Sequence, residues 1–242
     1  MDISELVESY PRERPALPGE YAKIYEEQYR INREGATAVD GAAQRLEQWM
    51  HRQVASVAGE PVLELGAGTL NHLRFESAAV YDVVEPFTAL FDGKRELDKV
   101  RATYASIEDV PRGNRYARII SIAVLEHLTD LPRELARAAQ LLDDGGVFQA
   151  GIPSEGGFLW WAGWRFSTGL AYFLRTGLDY GVVMRHEHVN DAKDIRHLVE
   201  HVFEEVRVSR FPTPAQHLSF YTYLEARKPR LDAALRLLGD FG

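Results

Sequence analysis

The chain is expected to fold as an α/β domain. It should have a doubly wound, mostly parallel sheet with an antiparallel C-terminal edge pair, an N-terminal helical cap and an inserted aromatic lid. Three observations lead there. Between residues 62 and 152 short apolar runs alternate with helix-like segments, the pattern of βαβ units. A glycine turn, Gly66-Ala67-Gly68, follows directly on the first of those runs. Near the C-terminus, Glu205–Phe211 and Ser219–Glu225 alternate like strands, and the link Pro212–Leu218 is short enough for antiparallel pairing at a sheet edge.

Taken in order, the first 18 residues are rich in proline and charge and should lie as an arm over the surface. From Glu20 to Asn32, Tyr21, Ile24, Tyr25 and Tyr29 recur at helical spacing, with Gly35 as a stop. A second helix is predicted over Val39–Val54, with Val39, Ala42, Ala43, Leu46, Trp49 and Met50 as its buried stripe. The strand runs are Val62–Leu65, Val80–Val84, Val100–Tyr104, Ala117–Ile122 and Val147–Ile152. Leu131, Leu135, Ala138, Leu141 and Leu142 mark a helix before the last of these, closed by Asp144-Gly145-Gly146, and Asp194–His201 marks another. The whole reads as one domain, 1–242. Its parts are an arm and helices (1–56), a cofactor-binding half (57–152), a lid insertion (153–192), and a C-terminal helix, strand pair and tail (193–242).

Composition narrows the function. With 45% hydrophobic and 26% charged residues, the 242-residue chain matches ordinary globular domains and can bury a core without staples. It has no cysteine, which excludes thiolate nucleophiles, thiolate metal sites and disulfides. The net charge is −8 and no dense Lys/Arg stripe is present, so no nucleic-acid partner is expected. The acidic start lacks a basic region followed by an apolar stretch, and a cytoplasmic location is expected. Gly157–Leu174 is apolar, but Arg165, Ser167 and Thr168 interrupt it, so it reads as a buried or pocket-lining segment and not as a span of about 20 apolar residues.

The chemistry concentrates after the first strand. In an open parallel sheet, ligands sit at the carboxyl ends of strands, where glycines let the backbone turn and approach closely. Glu85 ends the second strand, placed to accept two hydrogen bonds from a ribose diol. A dinucleotide enzyme wants a third glycine for its pyrophosphate, and Asn71 stands in that place. Glu64, before the glycines, suits a cationic amino-acid moiety. On these residues alone, a NAD-dependent oxidoreductase and a methyl-donor enzyme both remain open.

The ordered set of motifs resembles the class I S-adenosylmethionine-dependent methyltransferases. Leu63-Glu64-Leu65-Gly66-Ala67-Gly68-Thr69 is similar to their first motif, and Val84-Glu85-Pro86 to their ribose-binding acidic motif. Ala105-Ser106-Ile107-Glu108-Asp109 is similar to the segment that brackets the adenine. Ile119-Ile120-Ser121-Ile122-Ala123-Val124-Leu125-Glu126-His127 is similar to the fourth motif, and Leu141-Leu142-Asp143-Asp144-Gly145-Gly146-Val147 to the approach to the fifth strand. The resemblance overrides the dinucleotide reading and implies S-adenosylmethionine as cofactor. It implies that Glu64, Gly66 and Gly68 hold the methionine end, with Ala67, Thr69 and Asn71 also among the cofactor-binding residues. Glu85 would bind the ribose hydroxyls, with Pro86 beside it among the cofactor-binding residues. Phe87 would pack on the adenine, Ser106 and Ile107 would flank the ring, and Glu108 would accept its amino group. Ser121, Ile122 and Ala123 would lie beside the sulfonium.

A hydroxyl acceptor needs a base, since alkoxide is scarce at neutral pH. Candidates are His127, His186 and His188, the latter two in the dense run Met184-Arg185-His186-Glu187-His188-Val189-Asn190. Arg185 suits a carboxylate or phosphate on the acceptor, with Asn190 beside it. The insertion Ser154–Tyr180 holds three of the four tryptophans, Trp160, Trp161 and Trp164. These aromatics line an acceptor pocket, pack a lid or form a homodimer interface. No metal is expected: His197-Leu198-Val199-Glu200-His201 matches a zinc pattern but falls on an ordinary helix, and His186-x-His188 with Glu187 lacks further ligands. The expected function is methylation of a small-molecule acceptor, at oxygen of a sugar or sugar-linked metabolite. Rival readings are a lipid or quinone acceptor and a non-catalytic binding protein of the same fold.

Overall fold

The computed structural model describes residues 2–25 and 41–239. The expected positions Tyr29, Gly35 and Val39 lie outside the described residues, as do the side chains of Ala42 and Ala43. Seven strands form one sheet: β1 (Val62–Leu65), β2 (Tyr81–Val84), β3 (Ala102–Tyr104), β4 (Tyr116–Ile122), β5 (Leu142–Pro153), β6 (Phe203–Pro212) and β7 (Ser219–Pro229). Their order is β3-β2-β1-β4-β5-β7-β6. Neighbours from β3 to β5 run parallel, while β7 pairs antiparallel with both β5 and β6. The edge pair has the expected form, with β7 inside it and β6 outermost.

The helices are α1 (Ile3–Glu8), α2 (Gly41–Ala55), α3 (Leu131–Leu141), α4 (Phe158–Phe166), α5 (Thr168–Thr176), α6 (Tyr180–Glu187), α7 (Ala192–Val202) and α8 (Leu231–Leu238). The chain is also helical over 19–25. Because side chains alternate across a strand, the central strands feed two cores. Leu63, Leu65, Val84 and Ile119 pack with Leu135 and Ala138 of α3 and Ile195, Leu198 and Val202 of α7. Val62, Tyr81, Val83, Ile120 and Ile122 meet Met50 and Val54 of α2 on the opposite side. Each fully buried aliphatic side chain contributes about 1.5–3 kcal/mol against exposure. Asp191 starts α7 by accepting the backbone N–H groups of Lys193 and Asp194.

Two parts differ from expectation. The connections after β1, β2 and β3 contain 3-10 turns (Asn71–Arg74, Thr88–Leu90, Arg95–Lys99, Ile107–Asp109) where helices were expected. Their apolar residues do not recur as a stripe, so single side chains such as Leu73, Phe91 and Ile107 plug the core instead. The insertion is a group of short helices, α4 to α6, separated by Ser167 and the left-handed Gly177. The helix α8 was not anticipated; its Ala234 joins the core that contains α3.

Candidate active site

The turn after β1 is shaped by residues in the left-handed region: Gly66 at φ 69°, Gly68 at φ 51° and Leu70 at φ 63°. The two glycines serve different ends. A Cβ on Gly66 would lie 2.4 Å from Val124 Cγ2, so this glycine admits the β4 loop against the turn. A Cβ on Gly68 would meet nothing within 4 Å, so that glycine faces open space. Glu85 holds the turn from the next strand: Gly68 N–H donates to its Oε2 at 2.8 Å and Phe87 N–H to its Oε1 at 2.9 Å. Phe87 stands exposed beside it, and Pro86 lies between. Thr69 offers its carbonyl to Lys94 Nζ at 3.0 Å, and Asn71 opens the 3-10 turn on the surface. Ala67 is buried in the core on the α2 side.

Glu64 lies beneath the turn, buried, with Tyr81 Oη donating to Oε2 at 2.8 Å. Burial pushes its carboxyl up to about 8, despite the hydrogen bond from Tyr81. The segment expected at the adenine is divided in its roles. Ile107 is buried in the core, Ser106 caps its own 3-10 turn through Glu108 N–H, and Glu108 pairs with Arg133 at 2.7 Å. At the end of β4, Ser121 Oγ is buried with no hydrogen-bond partner among the described residues. Ile122 is buried, and Ala123 takes φ 55°, a left-handed conformation rare outside glycine that turns the chain towards Glu126.

There the structure gathers residues from distant parts of the sequence. His127 and His188 meet edge to face, with ring centroids 4.8 Å apart. Glu126 lies between their loops, 2% exposed, and its backbone carbonyl accepts the N–H groups of Val189 and Asn190. Nδ1 of His127 lies 2.9 Å from the Glu187 carbonyl, and Nδ1 of His188 is hydrogen-bonded to the Glu155 carboxylate. Burial pushes Glu126 up to about 7, although His188 draws it down. Burial and the neighbouring His188 lower His127. Burial also acts against protonated His188, but the Glu155, Glu126 and Glu187 carboxylates outweigh it and raise the ring above its ordinary value.

Two expected members fall elsewhere. His186 is bound to the Pro15 carbonyl at 2.7 Å and packs on Tyr25. The Asn190 amide is engaged internally: Nδ2 donates to the carbonyls of Leu125 and Leu128, and Oδ1 accepts from Tyr10 Oη and Arg12. Asn190 therefore fixes the loop that carries His188. Of the tryptophans, Trp160 reaches Tyr221 at 5.8 Å and keeps a buried Nε1 with no partner among the described residues. Trp164 packs within the lid on Tyr180, Trp161 is exposed, and so is Arg185.

The methyltransferase-domain family matches residues 40–224 of this sequence. The chain belongs to that family. Its fold is that of S-adenosylmethionine-dependent methyltransferases. A methyltransferase from Thermotoga maritima superposes with a TM-score of 0.55 at 15% identity, covering 86% of this chain and 96% of that one. The N-methyltransferase NodS from Bradyrhizobium japonicum, in complex with S-adenosyl-L-homocysteine, gives 0.53 at 13%, covering 95% and 100%. No curated protein matches the sequence.

The methyltransferase has a cradle that fits a nucleoside with a cationic amino-acid tail. There is open space over Gly68, the Glu85 carboxylate has lone pairs beyond its two backbone donors, and the buried Glu64 has no cation partner among the described residues. In place of an α-helix, a four-residue 3-10 turn follows the glycines, which removes the dipole a pyrophosphate would use. Sequence reasoning missed Glu126, Glu155 and Tyr221. Glu126 adjoins His127 and was within reach; Glu155 and Tyr221 become neighbours of the site only through the order of β5 and β7.

The arm secures this arrangement. Arg12 bonds to the Val189 carbonyl, to Asn190 Oδ1 and, at 2.7 Å, to Asp194, while Arg14 reaches the His127 carbonyl at 3.1 Å. Tyr25 Oη is hydrogen-bonded to Glu187. Among the described residues no helix is long and apolar enough to cross a membrane.

Proposed function

We propose that this methyltransferase transfers a methyl group from S-adenosylmethionine to an oxygen of a small-molecule acceptor, a sugar or a sugar-linked metabolite. The observation that carries the reading is the meeting of Glu126, His127 and His188 beside the loop that overlies the glycine turn. When bound, S-adenosylmethionine supplies an electrophilic methyl on a sulfonium that leaves as a neutral thioether. Glu85 takes the ribose hydroxyls, Phe87 covers the adenine, Gly68 leaves room for the tail, and Glu64 answers its ammonium group. Glu126, His127 and His188 receive the acceptor hydroxyl and draw off its proton, the step an alcohol needs at neutral pH. Trp160, whose Nε1 has no partner among the described residues, and Arg185 orient the acceptor; alignment is the larger part of catalysis in such a displacement. The net charge of −8 favours a small acceptor over nucleic acid.

A second reading has its own observation. Phe158, Trp161, Phe166, Leu170, Phe173 and Leu174 are all exposed on α4 and α5, with Phe166 at 70% and Leu174 at 76%. An apolar face of this kind suits a lipid or quinone acceptor. One experiment separates the readings: isotopically labelled S-adenosylmethionine is incubated with the protein and separate pools of water-soluble and lipid extract. Label in a water-soluble sugar derivative supports the first reading and label in the lipid pool the second. Binding of S-adenosylhomocysteine with transfer to neither pool would favour a non-catalytic protein.

A further inference from the structure

We propose that Glu126, His127 and His188 form a binding centre for a divalent transition-metal ion. One ligand atom from each lies within 4.8 Å of the others. Ligands about 2.1 Å from a cation stand roughly 3–3.5 Å apart, so closure needs movement of about an ångström, within the range of side-chain adjustment.

Three features of the cluster point to a cation and not to three solvated side chains. A carbonyl oxygen only accepts, so the contact of His127 Nδ1 with the Glu187 carbonyl fixes the proton on Nδ1. The Glu155 carboxylate does the same for His188. Both rings are thereby turned to present Nε2, and an acceptor on the far nitrogen is the usual companion of a metal-binding imidazole. His127 Nε2 already lies 3.9 Å from Glu126 Oε1. Finally, Glu126 Oε2 is buried with no hydrogen-bond partner among the described residues. An unpaired carboxylate oxygen in the interior is costly, and a cation is the partner that would offset that cost.

Two imidazoles and one carboxylate leave coordination positions open and suit zinc, iron(II), manganese or cobalt over calcium. The centre rests on the geometry alone; its role rests on the proposed function, where a cation beside the methyl donor would acidify a bound acceptor hydroxyl. With the cation bound, the three side chains are its ligands and no longer the base, so the proton leaves to solvent, and the oxygen–methyl bond forms as the sulfur–methyl bond breaks.

The test uses the full chain, freed of metal with a chelator and titrated with Co²⁺ by calorimetry and visible absorption. The expected result is one Co²⁺ per chain with ligand-field bands. Glu126→Gln and His188→Ala should each weaken binding more than tenfold, and Glu155→Gln by about tenfold. S-adenosylhomocysteine affinity, measured on the same samples, should stay unchanged. Glu126→Gln keeps the buried volume, so it decides the matter if His188→Ala fails to fold. Absence of saturable Co²⁺ binding, or binding indifferent to Glu126→Gln, would overturn the centre. Loss of S-adenosylhomocysteine binding by the unsubstituted chain would count against the proposed function, while the Co²⁺ result still decides the metal.

Discussion

Gly66 and Gly68 share a sign of φ but not a neighbour. Alanine at Gly66 would drive its Cβ into Val124, in addition to about 1–2 kcal/mol for the left-handed backbone. The expected result of Gly66→Ala is a large drop in melting temperature, by the loss of packing against β4. Gly68→Ala faces only the backbone cost, and its Cβ enters the space assigned to the cofactor. It should lower S-adenosylhomocysteine affinity at least tenfold with a small change in melting temperature. Equal stability losses in the two variants would remove the distinction. Glu85→Ala strips acceptors from Gly68 and Phe87, and should abolish measurable cofactor binding in calorimetry while the protein stays folded; retained affinity would mean that the ribose is held elsewhere. For Glu64, the folded carboxyl lies at about 8, above its ordinary value. The folded state therefore binds that proton more tightly than the unfolded state, and stability is lost as pH rises from about 4.5 to about 8. Glu64→Gln should flatten this part of the melting-temperature profile, and an unchanged slope would contradict the burial argument.

At the scale of elements, the strands were legible because each apolar run is bounded by turn residues, and β1, β4 and β7 begin within a residue of their expected places. The connections between β1 and β4 were not, because the alternation of strands suggested helices where Leu70, Leu73 and Phe91 supply isolated anchors to 3-10 turns instead of a stripe. His127 and His188 could be named from residue type, but their contact depends on the Glu126 carbonyl capturing Val189 and Asn190, a long-range bond without local signature. Asn190 is the tie in that contact. Asn190→Ala takes a donor from the Leu125 carbonyl, which keeps the Leu128 N–H, and leaves the Leu128 carbonyl without its side-chain donor, at about 1–3 kcal/mol for a group buried unpaired. Its expected result is faster hydrogen exchange over 186–190 with cofactor affinity preserved. Protection equal to the unsubstituted chain would show that the loop is held by other bonds.

Across the whole molecule, the arm joins what the sheet alone would leave separate. Arg12 and Arg14 connect the start of the chain to both loops of the cluster. Arg12→Ala removes a partly buried charge-assisted set, and should lower stability by about 1–2 kcal/mol, read from the denaturation midpoint. In the proposed roles the site is distributed: the cofactor side is local to 62–122, and the acceptor side gathers Glu126, His127, Trp160, Arg185 and His188 with the N-terminal arm as their tie.

The place of β7 has a consequence for how the protein is made. Of the seven described strands, the last in sequence lies between two that precede it, β5 and β6. Until residue 229 is available, β5 has one bare edge along a buried, apolar strand, a template on which another nascent copy can pair. A chain cut ahead of Ser219 should aggregate during expression, whereas one cut after Pro229 should keep the sheet closed and lose the cover that α8 gives to the core, together with the Arg230 bonds to the carbonyls at the end of α7.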